Sequence, residues 1–387
     1  MNICYLSQSS STSAGGIYEI EKALAARVSA KNGLDLTVCA FFDNGHCDGW
    51  PERSKPVLFG QHESWVRSHV KIRNFLKSNA FDLIHLHNLW TFSSLLALEA
   101  RIKRAAVTVV TINGMLDPWA LSQSKYKKIA AGVLYERLNL NMASLIHVNS
   151  EREAEDCRRY GIRGPIAIIP NGVDCHPELS RRLIANRAKR RDSGKRKVLF
   201  LGRLHQKKGL IPLIKAWSIL SVELRSNWEL DIVGWDDGDF EPMLRRAIAE
   251  HGVADSVNIK GPVFGEQKSQ TFADSDVFIL PSYSEGLPMA VLEAWSFGIP
   301  TIITPDCNLP IGTRECASLE VLACPEEIFM GLNQMLTMPA GERARMGSRG
   351  LDLVCEKFAW DSVATELIGC YSWLMDGGEA PSCVLFE

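Results

Sequence analysis

Residues 277–304, VFILPSYSEGLPMAVLEAWSFGIPTIIT, contain the strand–helix–strand pattern that decides the fold class of this chain. The apolar runs at its two ends are typical of buried strands, and Pro288 is suited to the first position of the helix between them, where no amide hydrogen bond is needed. Strands that alternate with helices in this way form parallel sheets. The only charged residues of the stretch are Glu285 and Glu293, which raises the question of their purpose.

The same alternation extends along the whole chain and predicts an α/β protein with two doubly wound domains. We expect the domains at residues 1–178 and 196–358, with a C-terminal helix over 360–376 that packs back on the first. Open α/β sheets bind ligands beyond the carboxyl ends of their strands, so two such sheets facing each other would form a central cleft.

The basic stretch 177–197 is predicted to be a helix or a linker. Its charged side chains are interpreted as a solvated face rather than as a phosphate-binding site. The strands are predicted at 2–7, 36–42, 82–87, 106–112, 145–150, 166–170, 197–202, 228–234, 257–261, 277–281 and 300–304.

Composition limits the classes of function. The 387 residues are too many for one ordinary core. A net charge of -2 gives no sign of a nucleic-acid-binding protein. The 11 cysteines are scattered without a CxxC pair, which argues against a zinc ribbon or a disulfide framework and favours a reducing cytoplasm. No signal peptide or membrane-spanning run is evident. We expect a cytoplasmic protein, with surface attachment to a membrane left open.

The first candidate site follows the strand at 197–202. There, Gly202 would let the backbone approach a ligand, and cations such as Arg203 and Lys208 can neutralise a diphosphate without a metal. The alternative is a solvated basic loop. The pair Asp237 and Asp239 superficially resembles a metal-binding motif, but its setting favours a polar loop, and we expect no metal.

The second candidate site is the start of the helix at 289–297. Free amides of Gly286, Leu287 and the first helical residues offer an anion site. The two glutamates cannot attract phosphate, but they can accept hydrogen bonds from hydroxyl groups. Together they would contact the two ends of a sugar linked to a nucleoside diphosphate. Alternatively, Glu285 complements the helix dipole and Glu293 is half of a buried ion pair.

The order of these motifs resembles that of the retaining glycosyltransferases of family 4, which have the GT-B fold. The resemblance is carried by IPNGVD (169–174), GRLHQKKG (202–209), VG (233–234), IKGPV (259–263) and the two glutamates with seven residues between them. In the first half, AGGIYE, FDLIHLHNLW, NGMLDPWAL and YERLNL are similar to the branch that builds bacterial surface polysaccharides, including lipopolysaccharide. The resemblance covers nearly the whole chain.

The resemblance implies a role for each matching residue. Arg203 and Lys208 would bind the diphosphate, Glu293 the ribose hydroxyls, and Glu285 the transferred sugar, assisted by the amides of Gly286 and Leu287. The other implied residues are Gly15, Gly16 and Gly202 near the diphosphate, Gly234 and Val263 around the base, and His87, Asn88 and Trp90 on the acceptor side. The implied partners are a UDP- or GDP-sugar donor and a glycan or lipid-linked acceptor, with no cofactor. His85 is instead expected to be a packed strand residue.

Asn113 departs from the family pattern, which usually has histidine just before this glycine. Asparagine can donate and accept hydrogen bonds, but it does not titrate. A mechanism that needs a titrating base at this position is therefore in doubt, whereas a mechanism that needs only an oriented amide dipole is compatible with Asn113. Asn113 is also the only support for a non-catalytic sugar-nucleotide binder. A nicotinamide-dependent oxidoreductase is disfavoured because no strand is followed by GxGxxG with an acid ~20 residues on.

A further signal is the helix predicted over 122–141. It mixes three lysines with apolar side chains, as in segments that lie on an anionic membrane, although a solvated face is somewhat favoured. The residues concerned are Lys125, Tyr126, Lys127, Lys128, Ile129, Val133 and Leu134.

Overall fold

A computed structural model describes residues 1–11, 14, 16–43, 45–47, 49–60, 65–103, 105–189 and 194–386. The chain divides into two compact units: unit 1 is Met1–Gly172 with Trp360–Glu387, and unit 2 is Val173–Ala359. The chain therefore passes from one unit to the other twice.

The strands form one sheet in each unit. They are β1 (Asn2–Ser7), β2 (Asp35–Phe41), β3 (Val57–Phe59), β4 (Leu83–Leu86), β5 (Val107–Thr111), β6 (Leu145–Val148), β7 (Ile166–Ile168), β8 (Arg196–Leu201), β9 (Trp228–Val233), β10 (Val257–Lys260), β11 (Val277–Leu280), β12 (Thr301–Ile303), β13 (Ser318–Glu320) and β14 (Val384–Leu385). The order in unit 1 is β14-β7-β6-β5-β4-β1-β2-β3, and in unit 2 it is β10-β9-β8-β11-β12-β13. Only β14 pairs antiparallel, with β7, among the strands of the described chain.

The helices fill the connections between parallel strands. They are α1 (Gly16–Ser29), α2 (Trp65–Ser78), α3 (Phe92–Ile102), α4 (Pro118–Ser122), α5 (Lys125–Ala131), α6 (Arg137–Met142), α7 (Glu151–Tyr160), α8 (Pro177–Lys189), α9 (Leu210–Ile219), α10 (Val222–Asn227), α11 (Glu241–Glu250), α12 (Gly265–Ala273), α13 (Met289–Ser296), α14 (Pro310–Arg314), α15 (Pro325–Thr337), α16 (Ala340–Leu353) and α17 (Trp360–Asp376). A π-helical turn at Gly132–Glu136 joins α5 to α6, and another at Val354–Phe358 follows α16.

The two-sheet α/β architecture agrees with the prediction, and each of the 11 predicted strands corresponds to one of the observed strands. The prediction missed β3, β13 and β14, which have only two or three residues each. All three lie at a sheet edge, where a strand is covered by fewer neighbours and needs no continuous apolar run. The helix predicted over 122–141 begins at Lys125, because Ser124 has a left-handed φ of 52° after α4, and it continues through a π-helical turn to Met142.

The basic stretch 177–197 contains a helix of unit 2 rather than a free linker. In α8, the Ser180 hydroxyl donates to the carbonyl of Ser296 at 2.6 Å, and the Arg187 guanidinium donates to the carbonyl of Phe297 at 2.8 Å. Unit 2 begins at Val173, 23 residues before the start expected at 196, and the first part of unit 1 ends at Gly172, six residues before the end expected at 178.

Candidate active site

The first group of predicted site residues lies at the carboxyl edge of the unit 2 sheet. Strand β8 is paired in parallel with both β9 and β11, so the loops that follow these three strands emerge side by side. Two glycines make the close packing of these loops possible. A Cβ atom on Gly209, which has a φ of +65°, would lie 2.0 Å from the carbonyl oxygen of Pro281, and one on Gly234 would lie 1.8 Å from that of Gly202.

Lys208 and Glu285 form an ion pair at this edge. The Lys208 Nζ lies 2.6 Å from Glu285 Oε1, and only 15% and 12% of the two side chains are exposed. The Ser282 hydroxyl donates to the same oxygen at 2.5 Å. Within the described part of the chain, Glu285 Oε2 has no hydrogen-bond partner, so this oxygen is available to a ligand hydroxyl group.

The backbone around Glu285 is fixed by the loop that follows β12. The Glu285 amide donates to the carbonyl of Asp306 at 2.9 Å, and the Glu285 carbonyl accepts from the Asn308 side chain at 2.5 Å. Tyr283 similarly donates its amide to the carbonyl of Lys207 at 2.8 Å. The position of the Glu285 carboxylate is therefore set by three neighbouring loops, which is the arrangement expected of a preorganised site.

Arg203 is paired with a different carboxylate. Its guanidinium donates to Asp237 Oδ2 at 2.9 Å, and about half of the Arg203 side chain is exposed. Asp237 belongs to the loop that resembled a metal-binding motif, and here it is the partner of a cation. No group of three or more histidine, cysteine, aspartate or glutamate side chains suited to a metal ion occurs among the described residues.

The start of α13 differs from the prediction in one detail. The helix begins at Met289, and Pro288 is its N-cap rather than its first helical residue. Gly286 and Leu287 therefore lie in the turn before the helix, not on it. The amides of these two residues and of Met289 and Ala290 have no acceptor among the described residues, so four N–H groups remain available to an anion.

Glu293 pairs with a lysine of α12, and a quarter of its side chain is exposed. Lys268 Nζ lies 2.5 Å from Glu293 Oε1. Burial raises the pKa of Glu293, the Lys268 ammonium lowers it, and the Asp174 carboxylate adds a smaller upward contribution. A partner that is itself one-third exposed can move aside, so this ion pair does not exclude a ligand.

The second group of predicted residues lies at the carboxyl edge of the unit 1 sheet. The His87 side chain is 1% exposed, and neither of its ring nitrogens has a partner among the described residues. Burial lowers the pKa of His87 to about 3, with a further contribution from His147. Asn88 Oδ1 accepts from the amide of Gln8 at 2.9 Å. His87 is therefore neutral, and Asn88 holds the loop that follows β1.

Trp90 is held by a buried carboxylate. Its backbone has a left-handed φ of 64°, and its amide donates to Glu136 Oε2 at 2.7 Å. Burial raises the pKa of Glu136. The indole ring lies edge-on to Tyr160, with the ring centroids 6.0 Å apart. The ring is thus partly packed rather than freely presented to an acceptor.

His85 is a packed strand residue, as its position in the sequence suggested. Its Nδ1 lies 2.5 Å from the Tyr371 hydroxyl of α17 and its Nε2 lies 2.6 Å from the Thr111 hydroxyl. Both ring nitrogens are therefore occupied within unit 1.

The two glycines predicted in the loop after β1 give different outcomes. Gly15 lies outside the described residues. Gly16 is the first residue of α1, and a Cβ atom there would meet no heavy atom within 4 Å. No described part of the protein therefore approaches position 16 closely enough to require a glycine there.

Asn113 has a left-handed φ of 48° and a side chain that is only partly paired. Its Oδ1 accepts from Asn149 Nδ2 at 3.3 Å, while its Nδ2 is buried without a partner in the described chain. Asn149 was not among the predicted site residues, although it lies two residues beyond His147 just as Asn113 lies two residues beyond the paired Thr111. Polar residues placed just after buried strands were the signal that would have identified it.

A buried glutamate near the first strand was also missed. Glu21 of α1 is inaccessible to solvent, and the hydroxyls of Ser7 and Ser10 donate to its two carboxylate oxygens at 2.5 and 2.8 Å. Burial raises its pKa to about 7. A buried helix face such as the one that contains Glu21 is normally apolar. In the sequence, only the serine-rich loop that follows β1 indicated that a polar side chain would be bound there.

No helix of the described chain is both long and apolar enough to cross a membrane.

Two family models match the chain. Residues 17–176 match Glycosyltransferase Family 4, and residues 183–350 match glycosyl transferases group 1. Among curated relatives, a D-inositol 3-phosphate glycosyltransferase of Streptomyces avermitilis is 27% identical over 362 residues, covering 89% of this chain and 72% of that protein. A protein of the same name from Pseudarthrobacter chlorophenolicus is 30% identical over 266 residues, 65% of this chain and 60% of that protein.

Solved structures show the same fold. Sucrose-phosphate synthase of Thermosynechococcus elongatus superimposes with a TM-score of 0.73 at 19% identity, over 98% of this chain and 100% of that one. The Anabaena protein Alr3699/HepE in complex with UDP gives 0.73 at 19% identity, over 96% and 100%. The lipopolysaccharide outer core galactosyltransferase WaaB gives 0.69 at 18% identity, over 95% and 98%. Two Rossmann-like domains of the GT-B class are common to all of them.

Proposed function

Since the chain belongs to the family 4 glycosyltransferases, we propose that it transfers a sugar from a UDP- or GDP-sugar to a glycan or lipid-linked acceptor with retention of configuration. We further propose that this reaction contributes to the synthesis of a bacterial polysaccharide or lipopolysaccharide in the cytoplasm. The Anabaena relative has been crystallised with UDP and with UDP-glucose, and another relative is a lipopolysaccharide galactosyltransferase, which supports the substrate class.

The Lys208–Glu285 pair is the observation that carries this proposal. When the bond between the sugar and the diphosphate breaks, negative charge develops on the departing phosphate. The Lys208 ammonium and the free amides of Gly286, Leu287, Met289 and Ala290 lie at the same sheet edge and would stabilise that charge. Arg203 would contribute a second cation by leaving its exposed partner Asp237.

The glutamates would bind the two polar ends of the donor. Glu285 Oε1 is occupied by Lys208 and Ser282, so Oε2 would accept from a hydroxyl of the transferred sugar. Glu293 would accept from the ribose hydroxyls after Lys268 moves aside. In this proposal, Glu285 binds the transferred sugar and Glu293 binds the nucleoside.

Removal of Lys208 tests the diphosphate contact. Lys208→Ala and Arg203→Ala should each weaken binding of UDP or GDP at least about tenfold, because a hydrogen bond to a charged group contributes ~1.5 to 3 kcal/mol. Isothermal titration calorimetry measures this affinity, and Lys215→Ala, which removes an exposed lysine of α9, is the matched control. Unchanged affinity in both folded variants would contradict the assignment.

Turnover should not depend on a metal. Two cationic side chains and four amides supply the charge stabilisation that a divalent ion would otherwise provide. We expect release of nucleoside diphosphate to continue in excess EDTA. A complete loss that magnesium or zinc restores would show that Asp237 and Asp239 have a metal-binding role. The same release assay separates an enzyme from a non-catalytic sugar-nucleotide binder, the alternative suggested by Asn113.

A surface contact with the membrane would bring the protein to a lipid-linked acceptor. The segment from α5 to α6 exposes a run of apolar side chains, with Tyr126 86%, Val133 76% and Leu134 77% exposed. Successive residues of a helix are rotated by about 100° around its axis, so Lys125 and Lys127 lie on opposite sides of Tyr126 and flank this run. Apolar exposure flanked by lysines fits an anionic bilayer surface.

Vesicle binding tests this contact. We expect the protein to sediment with vesicles that contain phosphatidylglycerol, and to do so less at high salt, because surface lysines are screened. The double variant Val133→Glu with Leu134→Glu should stay in the supernatant. Val222→Glu, which changes an equally exposed apolar residue of unit 2, should still sediment. Equal recovery of the wild-type protein with neutral and anionic vesicles would instead indicate a solvated face.

A further inference from the structure

Two cysteines lie next to each other at the place where unit 2 begins and ends. Cys175 is two residues after the start of unit 2 and Cys355 is four residues before its end, yet their sulfur atoms are 2.7 Å apart. The sulfur atoms of Cys370 and Cys383 in unit 1 are farther apart, at 3.6 Å. Because a disulfide bond is ~2.05 Å long, Cys175 and Cys355 need only a small movement to form one.

The backbone holds the two cysteine-bearing segments side by side. The Val173 amide donates to the carbonyl of Phe358 at 2.8 Å, and Val173 forms a parallel bridge with Ala359. Cys175 lies just before α8, and Cys355 lies in the π-helical turn that follows α16. Helices α8 and α16 pack against each other. The fold of unit 2 therefore fixes the two sulfur atoms next to each other.

Both thiols can be reached from solvent. The two cysteine side chains are half-buried, and exposed residues adjoin them in the sequence, with Asp174 and His176 beside Cys175 and Glu356 beside Cys355. Burial raises the pKa of Cys175 to about 12, with a further upward contribution from Cys355, so the Cys175 thiol is protonated at neutral pH. Since the thiolate is the form that attacks an oxidant, oxidation starts at Cys355.

We propose that Cys175 and Cys355 form a reversible disulfide, which makes this pair an oxidation site separate from the residues assigned to glycosyl transfer. The oxidant is hydrogen peroxide, which transfers one oxygen atom to the Cys355 thiol and is reduced to water. The sulfenic acid that results is attacked by the Cys175 sulfur. The S–S bond forms as the S–OH bond breaks, and the hydroxyl group leaves with the thiol proton as a second water. A dithiol reductant reverses the reaction.

The bond would join the two ends of unit 2. The two cysteines are 180 positions apart in the chain, so a cross-link between them closes a long loop and strongly restricts the unfolded state. The disulfide form should therefore unfold at a higher temperature than the dithiol form. The spacing of the cysteines in the sequence could not identify this pair, because its members are brought together only by the packing of α8 on α16.

Peptide mapping tests whether the bond forms. The full-length protein is treated with hydrogen peroxide, the remaining thiols are blocked with N-ethylmaleimide, and the protein is digested without reductant. We expect a linked pair of peptides that contain Cys175 and Cys355, lacking two hydrogen atoms relative to the separate peptides and lost after treatment with dithiothreitol. If other cysteines are oxidised while these two remain thiols, or become separate sulfinic acids, the proposal is overturned.

Thermal unfolding of variants assigns the effect to this pair. Peroxide should raise the melting temperature of the wild-type protein by about 4 °C or more, and dithiothreitol should restore the original value. Cys175→Ser and Cys355→Ser should each abolish the rise. Cys316→Ser, which removes an exposed cysteine, is the matched control and should show the same rise as wild type. An undiminished rise in Cys355→Ser would overturn the proposal, since it would come from another pair such as Cys370 and Cys383.

Discussion

Lys208 and Glu285 bind each other before any ligand arrives, and this shapes how each residue responds to substitution. Both side chains are largely buried, so removal of one partner leaves the other charge uncompensated, which costs ~3 to 5 kcal/mol in fully buried pairs. Binding experiments on this pair therefore need a stability measurement beside them. Glutamine at position 285 retains a hydrogen bond to Lys208 and is the mildest change available.

Substitution of Glu285 and substitution of Glu293 should affect the binding of different parts of the donor. Glu285→Gln should strongly lower turnover and leave affinity for bare UDP or GDP nearly intact, because its sugar contact is absent from the product nucleotide. Glu293→Gln should weaken the bare nucleotide as well, by about tenfold or more if a hydrogen bond to a charged group of ~1.5 to 3 kcal/mol is lost. Calorimetry and initial rates measure both effects. Equal nucleotide affinities in the two folded variants would count against the role of Glu293.

Glu21 should give stability an unusual dependence on pH. Its pKa of about 7 lies above the ordinary value of 4.5, so between these values the folded protein retains a proton that the unfolded chain has released. Stability from this group is therefore present at low pH and is lost as pH rises towards 7, by at most about 1.4 kcal/mol per unit.

Comparison with Glu21→Gln isolates this contribution, because glutamine still bonds to Ser7 and Ser10 but does not titrate. The buried His87 and His147 have lowered pKa values of about 3 and 4, so they act in the opposite direction, with stability falling as pH drops below 6.5. These histidines are common to both proteins. The melting temperature of wild type minus that of the variant should fall from pH 5 to pH 7, and a constant difference would show that Glu21 does not titrate there.

At the scale of strands and helices, the sequence was sufficient for the elements that build the unit 2 site. Buried parallel strands are nearly continuous apolar runs, so β8 and β11 could be located, and the residues just after them identified Lys208 and Glu285. The bond between these two residues could not be predicted, since it depends on β8 and β11 being neighbours in the sheet. The partners Asp237 and Lys268 were missed for the same reason, because nothing in the sequence specifies sheet order.

Gly209 holds the loop after β8 against the loop after β11. Its φ of +65° disfavours any other residue, and a Cβ atom would collide with the carbonyl oxygen of Pro281 at 2.0 Å. We expect Gly209→Ala to destabilise the protein by more than the ~1 to 2 kcal/mol that the left-handed conformation alone costs. Urea denaturation followed by circular dichroism measures this.

Gly261→Ala is the matched control for that measurement, because a Cβ atom at Gly261 meets no heavy atom within 4 Å and its φ is not left-handed. Its stability should stay within about 0.5 to 1 kcal/mol of wild type. A similar stability of the two variants would mean that the loop after β8 can shift away from Pro281 without loss.

At the scale of the whole molecule, unit 1 is built from both ends of the chain. The last helix, α17, contributes the Tyr371 hydroxyl to the buried network around His85, and β14 completes the sheet beside β7. Unit 2 is one continuous segment between these two parts. The sequence indicated the return of the C-terminal helix from its aromatic positions, but not the short β14, whose two residues have no pattern of their own.

This division of unit 1 imposes an order on biosynthesis. When Gly172 leaves the ribosome, most of unit 1 is present, yet the surface that α17 covers is still bare. At the usual ~5 to 20 residues per second, α17 follows roughly ten to forty seconds later. The continuous unit 2 can reach its native state during that interval, whereas the first-made unit is the last to be completed. Nascent chains are therefore exposed to chaperones and to misassembly through the apolar surface beneath α17, in the half of the enzyme that was translated first.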